Sequence, residues 1–533
     1  MTWASPAKDG LAETWPALPN GLLSVYLFMA FFILFLFMTR TVFVWGKSHL
    51  RLPAGPRPLP IIGNVHQMLN QRPVDVIQKW HQKYGTMVTL RYGQQLAISI
   101  ASLDIAHDLM RKRGSIYNSR PRFIIASERM TNGLNSAIIP YGKRWQNHHR
   151  IMNSLLDVGA VNRYRGLQDL ESKQVLMELL ATSEFESSIS RYASSIIMTL
   201  GYGIRLERTD NEIPAKTLKI NALPLDAMGN SYYRAVELFP ILDRLPGFLA
   251  PWKRLSVRVE QETTEFHMQN LETAKSASTW NWVQDALQSK AGSQISSKEL
   301  AYVIGTLQQA GFEGTRTVLR LLIKAVVLHP NCLQEAQREL DRVVGPNRLP
   351  SFDDFPKLHY IHAMMNEAMR WQPPTPFAIP HATTQDDEYM GYHIPNGTVI
   401  IPNMWAMSFN PEIFPNPYEF KPDRWIENPK LEHSPFGFGR RICPGRHLGW
   451  NSIFILMARL MWAYDITHAY RDGKRVDIDP WDIEFSFTAS SRPFEASFQV
   501  RSPEKQDIIE SEWNVVCKDT VQILEDIRLK KAK

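Results

Sequence analysis

The sequence is short of cysteine, with only Cys332, Cys443 and Cys517 among its 533 residues. They are odd in number and far apart, and no CxxC pair occurs. This excludes the disulfide framework of a small secreted domain and the usual cysteine-based zinc sites. Such usage is typical of a protein that works in a reducing compartment.

The chain also lacks a strong charge bias. Its formal net charge is +7, and charged residues make up 21% of it, with the basic ones scattered. A nucleic-acid-binding domain normally clusters its basic residues on one face, so nucleic acid is not an expected partner. Hydrophobic residues make up 44%, without internal repeats, which predicts an ordered globular body.

Long apolar runs are missing as well, with one exception near the start of the chain. Leu22–Met38 contains no charged residue and approaches the length that spans a bilayer as a helix. Basic residues follow the run at Arg40, Lys47, Arg51 and Arg57, so the positive-inside rule places the rest of the chain in the cytosol. A cleaved signal peptide is the weaker alternative, because the basic flank lies on the wrong side and no cleavage site follows.

Helical periodicity dominates the body of the chain. Apolar residues at three- and four-residue spacing predict helices over roughly 102–113, 141–157, 166–205, 298–329, 331–344, 355–371 and 447–464. Strand signals are few: a hairpin at Met87–Arg91 and Leu96–Ile100, and β-prone residues around a turn signal within Tyr392–Ile401. The expected fold class is therefore mainly α with a minor β-sheet region.

One cysteine lies in a distinctive loop, which reads FGFGRRICPG from Phe436 to Gly445. A lone buried cysteine is usually a small hydrophobic residue. Cys443, however, is surrounded by glycines, which let the backbone approach a flat ligand and direct amide N–H groups at a thiolate. The helix that follows adds its positive N-terminus, which also stabilises charge on sulfur.

This stretch resembles the haem-binding pattern of the cytochrome P450 family, Phe-x-x-Gly-x-Arg-x-Cys-x-Gly, at every fixed position. The resemblance runs from about residue 52 to 501 and implies the cytochrome P450 fold with one N-terminal transmembrane helix, and haem b as the cofactor. It implies that Cys443 is the axial ligand to the iron and that Arg441 pairs with a haem propionate. Phe436 would pack beside the sulfur, with Gly445 in the same loop.

Further motifs follow the order of that family. Glu367-x-x-Arg370 lies on a predicted helix, and Arg424 lies downstream, 19 residues before Cys443. The resemblance implies a buried charge network of these three residues that holds the core and is structural rather than catalytic. Such a network tolerates the loss of one member poorly.

Three more residues match positions that contact haem propionates in the family. Trp145 matches the tryptophan of a Trp-x-x-x-Arg helix, but His149 stands at the arginine position, and Arg150 follows it. His381 falls where the family places another propionate donor. For each histidine, a surface or packing role remains the alternative.

The long predicted helix contains Ala310-Gly-Phe-Glu-Gly-Thr315. Two glycines inside a helix cost about 1 kcal/mol each, so they indicate close approach by another group. The resemblance implies an oxygen-binding groove at Ala310 and Gly311, with Glu313 relaying protons. Gly314 stands where the family usually has a threonine that delivers protons. Thr315 lies about 100° further around the helix and is the candidate substitute, with a substrate hydroxyl or a water as the alternatives.

The resemblance implies a monooxygenase that uses O2 and NADPH electrons from NADPH–cytochrome P450 reductase to oxidise a lipophilic small molecule. The sequence resembles fungal secondary-metabolite members of the family, which are of the microsomal type. The resemblance therefore implies a location in the endoplasmic reticulum membrane, with the catalytic domain in the cytosol. Arg440, Arg441 and Arg446 are candidates for docking an acidic reductase. Substrate-pocket residues are expected within Phe123–Asn135, Tyr302–Thr317, Pro374–Ile379 and Ser486–Ser490.

Two other functions stay open. Gly314 keeps oxidative coupling, desaturation or rearrangement without oxygen retention possible, and a non-enzymatic haem sensor or membrane scaffold is disfavoured by Glu313 and the thiolate. The expected organisation is a lumenal tail (1–20), a transmembrane anchor (21–45), a basic Pro-rich linker (46–60), a haem-thiolate catalytic domain (61–503) and a C-terminal amphipathic extension (504–533).

Overall fold

A computed structural model describes residues 51–69, 71–229, 231–486 and 488–531, with the backbone alone for 223–229 and 231–234. The predicted lumenal tail and transmembrane anchor lie outside these ranges, as do residues 46–50 of the linker. Within the described ranges, every helix falls short of the length or apolarity that crossing a bilayer requires.

The first half of the described chain is helical apart from one hairpin. Its helices are α1 (Pro73–Tyr84), α2 (Leu103–His107), α3 (Gly114–Tyr117), α4 (Lys143–Leu156), α5 (Val158–Arg163), α6 (Arg165–Ala181), α7 (Phe185–Tyr202), α8 (Glu212–Gly229), α9 (Ser231–Leu238) and α10 (Pro251–Ser276). Two π-helical turns, Asp108–Lys112 and Ile124–Arg129, lie between α2 and α4.

The second half contains the longest helix. Its helices are α11 (Trp282–Gln288), α12 (Ser297–Leu328), α13 (Pro330–Val343), α14 (His359–Trp371), α15 (Met404–Ser408), α16 (Asp423–Glu427), α17 (Arg446–Ala463), α18 (Pro503–Val515) and α19 (Thr520–Leu529). The expectation of a mainly helical body is confirmed.

The largest sheet of the described residues has four strands in the order β1–β2–β6–β3. β1 (Met87–Tyr92) and β2 (Gln95–Ile100) form the predicted antiparallel hairpin, β6 (Val399–Pro402) runs parallel to β2, and β3 (His381–Ala382) runs antiparallel to β6. Smaller pairs join β4 (Asp387–Tyr389) with β5 (Tyr392–Ile394), β7 (Tyr464–His468) with β12 (Ala496–Val500), β8 (Tyr470–Arg471) with β9 (Lys474–Arg475), and β10 (Ile483–Phe485) with β11 (Ala489–Ser491). The β-prone segment 392–401 is therefore divided between two sheets.

The prediction of one continuous helix over 166–205 is wrong, because the segment forms two helices, α6 and α7. It is interrupted at residues 182–184, where the Thr182 hydroxyl accepts a hydrogen bond from the Glu184 amide at 3.1 Å. Short hydroxyl side chains offer the backbone such an alternative to helical hydrogen bonds. The segment 355–371 also begins differently, with a 3₁₀ turn at Phe352–Lys357 that contains Pro356, before α14 starts at His359.

Helix α12 runs through the centre of the main hydrophobic core and packs against α7, α10 and α17. Close approach explains two of its glycines. A Cβ on Gly305 would lie 2.4 Å from the His267 ring of α10, and one on Gly311 would lie 2.7 Å from Ile197 of α7. The helices can therefore approach this closely only with glycine at both positions.

The C-terminal extension forms two helices, α18 and α19, and their inner faces belong to the main core. Ile509 of α18 and both Leu524 and Ile527 of α19 are buried in the cluster that surrounds α12 and α17. The Lys505 ammonium lies 3.7 Å from the Trp462 ring centroid, which also ties α18 to α17. The extension is thus part of the globular body.

Candidate active site

A cavity of about 440 Å³ lies between the middle of α12 and the loop that carries Cys443. Cys443, Glu313 and His381 all line it, although they come from segments far apart in the sequence. Most of the remaining wall is apolar, with Leu307 and Val318 among the lining residues. The volume falls within the range of small-molecule sites, which is 300–1,000 Å³ as an order of magnitude.

The cysteine loop is fixed by its backbone. The Cys443 amide donates to the Phe436 carbonyl at 2.8 Å, which closes the loop into a turn. Gly439 has a φ of 56°, and a Cβ there would lie 1.9 Å from the Met110 carbonyl oxygen, so this position requires glycine. Gly445 immediately precedes α17, whose N-terminus therefore lies close to the sulfur.

The Cys443 side chain is enclosed by protein but partly accessible, because it faces the cavity. Burial raises the pKa of the Cys443 thiol, while the backbone amide of Gly445 and the charge of Arg446 act in the opposite direction. Without a further positive charge, the thiol form is favoured. A metal ion bound to the sulfur would deprotonate it outright.

Two arginines and a histidine form a buried cationic group on one wall of the cavity. Arg120 donates from Nη1 to the Ile379 carbonyl at 2.5 Å and from Nε to the Ala137 carbonyl at 3.0 Å. Arg441 donates from Nε to the Asn118 carbonyl at 2.9 Å, while its Nη1 has no hydrogen-bond partner among the described residues.

His381 completes this cationic group. Its Nδ1 lies 2.7 Å from the Tyr117 carbonyl and donates to it, which orients the ring. Burial, followed by the charges of Arg120 and Arg441, lowers the pKa of His381 well below its usual value. Burial also lowers the pKa of the Arg441 guanidinium to about 9. Without a ligand, the surrounding protein therefore disfavours the protonated, positively charged form of both side chains.

Aromatic rings cover the other side of Arg441. Its guanidinium lies 4.1 Å from the Trp145 ring centroid, and Trp145 stacks on His149 at 4.6 Å. Both rings line the cavity. Arg150 bonds Asn147 at 2.8 Å and is not among the lining residues, so His149 is the residue of α4 that stands at the cavity where the family pattern has arginine.

No carboxylate of the described residues forms an ion pair with Arg120 or Arg441, as their contacts above are with carbonyl groups and an aromatic ring. Buried cations are normally paired, because an isolated buried charge is very costly. The arrangement therefore suits a ligand that brings its own anionic groups. Arg120 was missed by the sequence analysis; the only signal was an arginine before Pro121 in a loop.

A second buried charge cluster lies behind the cavity and is internally paired. Arg370 donates to both carboxylate oxygens of Glu367 at 2.8 Å, and Arg424 Nε donates to Oε1 at 3.1 Å. The indole of Trp425 and the amide of Lys421 also donate to Glu367, at 3.0 and 2.8 Å. The three predicted network residues do come together, and none of them lines the cavity.

Helix α12 presents Ala310, Gly311, Glu313, Gly314 and Thr315 to the cavity. The helix is continuous here, without a local distortion. A Cβ on Gly314 would meet no atom within 4 Å, whereas Gly311 is blocked by Ile197. Gly314 therefore leaves open space in the cavity wall, while Gly311 serves helix packing as well as room for a ligand.

All four expected pocket segments contribute to the lining, at Thr131, Asn135, Tyr302, Thr375 and Thr488, among others. The sequence analysis missed three polar contributors on α8 and α10: Asn221, Thr263 and His267. Burial lowers the pKa of His267 to about 4, so this histidine is neutral at ordinary pH. The roof of the cavity is thus polar but uncharged.

The three arginines considered for reductase docking have different surroundings. Arg440 is exposed and donates to the Tyr141 hydroxyl at 3.3 Å. Arg446 donates to the Cys443 carbonyl at 3.2 Å, and Arg441 is directed into the cationic group described above. Only Arg440 of the three is exposed enough to present its charge freely to a partner.

The fold, the cysteine loop and the buried charges define a haem-thiolate class of protein. The chain matches the Cytochrome P450 family model over residues 53–496 and belongs to that family. It is similar to fungal cytochrome P450 monooxygenases and is an oxidoreductase of that type. The protein FrzL of Cladobotryum sp is 41% identical over 481 residues, which cover 90% of this chain and 93% of FrzL.

Two further relatives match this chain over nearly the same length. The cytochrome P450 monooxygenase aneD of Aspergillus aculeatus is 39% identical, with 90% of this chain and 93% of aneD covered. The cytochrome P450 monooxygenase drtD of Aspergillus calidoustus is 38% identical, with 91% of each chain covered. The relationship therefore extends over nearly the whole of each protein.

Proposed function

We propose that this chain is a membrane-bound haem-thiolate monooxygenase that inserts an oxygen atom from O2 into a lipophilic secondary metabolite. The observation that carries the proposal is the cavity wall that combines Cys443 with the unpaired guanidiniums of Arg120 and Arg441 and with the buried His381 ring. A flat ligand with a metal at its centre and two carboxylates at its edge satisfies both requirements, and haem b is such a ligand.

The residues present fit this cofactor. Cys443 would bind its iron through the sulfur, with Phe436 and Gly445 of the same loop beside it. Arg120, Arg441 and His381 would bind the propionates, with Trp145 and His149 beside them. The free Arg441 Nη1 is a donor that a propionate would satisfy. A nearby carboxylate would also raise the pKa of His381, so that Nε2 becomes a donor.

When bound, the haem supplies oxygen activation, which electron donation from a thiolate ligand favours. The chain's own residues do the rest. The cysteine loop holds the sulfur in place through its turn, and the mostly apolar walls exclude bulk water. Glu313 is the acidic side chain that α12 presents to the cavity, and it would supply protons. Gly314 and Ala310 would leave room for O2 and substrate.

Electrons would come from NADPH through NADPH–cytochrome P450 reductase, with Arg440 on the docking surface. The predicted anchor at 21–45 would hold the chain in the endoplasmic reticulum membrane with the catalytic domain in the cytosol. An exposed apolar patch supports contact with a bilayer: Leu59, Ile241, Phe248 and Leu249 are 45–78% exposed. Gly93 lies between the two segments of this patch, near both Ile61 and Leu238.

The substrate class rests on the cavity and on the relatives. The walls are mostly apolar, which favours a lipophilic molecule, and the neutral polar roof favours one with hydrogen-bonding groups but no charge. The similarity to fungal monooxygenases supports a role in fungal secondary metabolism.

The proposal is tested by growing cells with and without the gene under heavy-isotope oxygen and comparing their extracts by mass spectrometry. We expect a product with one labelled oxygen, and accumulation of its unlabelled precursor when the gene is absent. Cys443→Ser should remove the product and the haem-thiolate spectrum, whereas Cys332→Ser, a half-buried cysteine outside the cavity, should keep both. Equal activity of the two variants would contradict the proposal.

A second candidate is oxidative coupling, desaturation or rearrangement by the same site, without oxygen retention. Gly314 supports it, because no hydroxyl is present at this open position of the cavity wall. A product that lacks the label, or that joins two precursors, would put this reaction first. The Cβ that Gly314→Thr adds would meet no atom within 4 Å. We expect this variant to lower hydrogen peroxide leakage, and unchanged leakage would exclude a proton-delivery role for this position.

A further inference from the structure

One face of α12 carries a row of charges that leads away from the cavity. Glu313, Arg316 and Arg320 are spaced by three and four residues, so their side chains share one side of the helix. Arg320 lies seven residues beyond Glu313, or about 10 Å along the helix axis. Both arginines are buried, at 8% and 6% exposure.

Ion pairs connect this row from the cavity to the surface. Arg316 Nη2 lies 3.6 Å from the Glu313 carboxylate, and Glu313 lines the cavity. Arg320 Nη2 donates to Glu186 of α7 at 2.5 Å. The Glu186 side chain is 24% exposed, so the row ends at solvent. Two carboxylates balance two guanidiniums, and the row carries no net charge.

Several polar atoms along the row are buried without a partner in the described structure. These atoms are Arg316 Nε, Arg320 Nε and Glu186 Oε1. Buried polar groups in native proteins are almost always hydrogen-bonded, and where no protein group serves, an ordered water does. Two such atoms on α12, with a third on the Glu186 carboxylate of α7 that pairs with Arg320, indicate a file of bound water.

We propose that this row is a water-filled proton-entry route that runs from Glu186 at the surface to Glu313 at the cavity. The inference rests on the proposed monooxygenase function. Arg316 and Arg320 are positioning residues: they stay charged and hold the water molecules in line. The protons themselves move along the waters and are received by the Glu313 carboxylate.

The reaction stoichiometry requires such a supply. Inserting one oxygen atom consumes R–H, O2, two electrons and two protons, and yields R–OH and one water. The electrons come from the reductase, and the protons must come from solvent. Because Gly314 provides no hydroxyl, delivery through Glu313 and its neighbours becomes the natural path on this helix. Arg316 also holds the Glu313 carboxylate, which keeps its orientation defined between turnovers.

The first test is structural and does not depend on turnover. A high-resolution crystal structure of the haem-loaded, full-length protein should show ordered waters within hydrogen-bond distance of Arg316 Nε and Arg320 Nε, continuous from Glu186 to Glu313. Apolar side chains packed against these atoms, with no water along the row, would overturn the proposal.

The second test uses Arg320→Met, which replaces a water-binding group with an apolar side chain of similar length. We expect kcat to fall about tenfold or more, because general acid–base effects of this kind are large. The solvent deuterium isotope effect on kcat should rise, since proton entry becomes slower. Glu186→Gln should act in the same direction with a smaller change.

The matched control is Arg459→Met. Arg459 is equally buried, at 2% exposure, and is paired with Asp169, but it lies on α17 outside the cavity and the row. This variant should lose stability without a change in the isotope effect. If Arg320→Met behaves like Arg459→Met, the route is overturned while wild-type product formation still supports the function. Absence of any turnover in the wild type would instead count against the function, and the crystallographic waters would still decide the route.

Discussion

Two buried charge clusters lie within the same helical body, and they differ in how their charges are compensated. Around Glu367, one carboxylate accepts from Arg370, Arg424 and neighbouring donors, so the cluster is satisfied within the chain. Around Arg441, the charges are all positive, and the described residues offer only carbonyls and an aromatic ring. The first cluster needs nothing from outside, whereas the second is complete only with an anionic ligand.

The difference separates structural from functional charge. A buried cluster whose charges balance indicates a structural role, because removal of one member leaves a buried charge without a partner. A buried cluster of like charges lowers the stability of the fold until a ligand of opposite charge binds. The same reasoning identifies Arg120, which no short motif in the sequence marks, as part of the cofactor site.

The largest expected effect is on the compensated cluster. Glu367→Gln keeps the shape of the side chain but leaves Arg370 and Arg424 without an anion, so we expect a loss of about 3–5 kcal/mol in the free energy of unfolding. Chemical denaturation of purified protein, with and without haem, measures it. Glu419→Gln is the control, because Glu419 bonds Arg370 only through its main-chain carbonyl. A loss confined to the haem-loaded form would mean that the two clusters do not differ as described.

An intermediate effect is expected at Arg441. Arg441→Met removes an uncompensated cation, so the haem-free protein should keep its stability to within about 1 kcal/mol. Haem affinity should fall about 10- to 100-fold, the usual cost of removing a group that supports a metal site. Haem transfer to an acceptor protein measures the affinity. Arg150→Met, on an exposed arginine outside the cavity lining, should change neither quantity. A large loss of haem-free stability in Arg441→Met would contradict the comparison.

The smallest effect is a pH dependence. The pKa of His381 in the folded, haem-free protein lies well below its usual value of 6.5, so below that pH the unfolded chain binds a proton that the folded chain does not. Stability therefore falls as pH decreases through about 6.5, by at most about 1.4 kcal/mol per pH unit from this residue. His381→Asn should make the denaturation midpoint less dependent on pH in haem-free protein.

Haem binding sharpens this last prediction. Propionates near His381 would restore its pKa toward the usual value, so the wild-type and His381→Asn proteins should show similar pH slopes once haem is bound. Other buried histidines, such as His267, contribute equally to both proteins and cancel in the comparison. A difference in slope that is the same with and without haem would show that no anion approaches His381.

The sequence predicted the cysteine side of the site better than the roof. The loop around Cys443 follows a dense local pattern, and glycine at position 439 is dictated by the Met110 carbonyl. The roof depends on α10, which the sequence analysis did not predict. Its buried face carries Ser256, Thr263 and His267 where apolar residues would mark a helix. Polar residues that line a cavity thus interrupt the apolar periodicity from which a helix is predicted.

Other differences have tertiary causes that a sequence window does not contain. The segment 392–401 has strand-like residues throughout, but it is divided because β5 pairs with its near neighbour β4, whereas β6 pairs with the distant β2. Ile197 lies against Gly311 only because α7 and α12 pack together. The sequence therefore identified Gly311 as a close-approach position without identifying what approaches it.

The burial of Leu524 and Ile527 has a consequence for how this chain is made. These two residues are synthesised after α12 and α17, yet they fill part of the core around those helices. The body therefore keeps an open apolar face until α19 has left the ribosome. Products that terminate between α17 and α19 would retain that face, which makes them ready targets for chaperones and proteases in the cell.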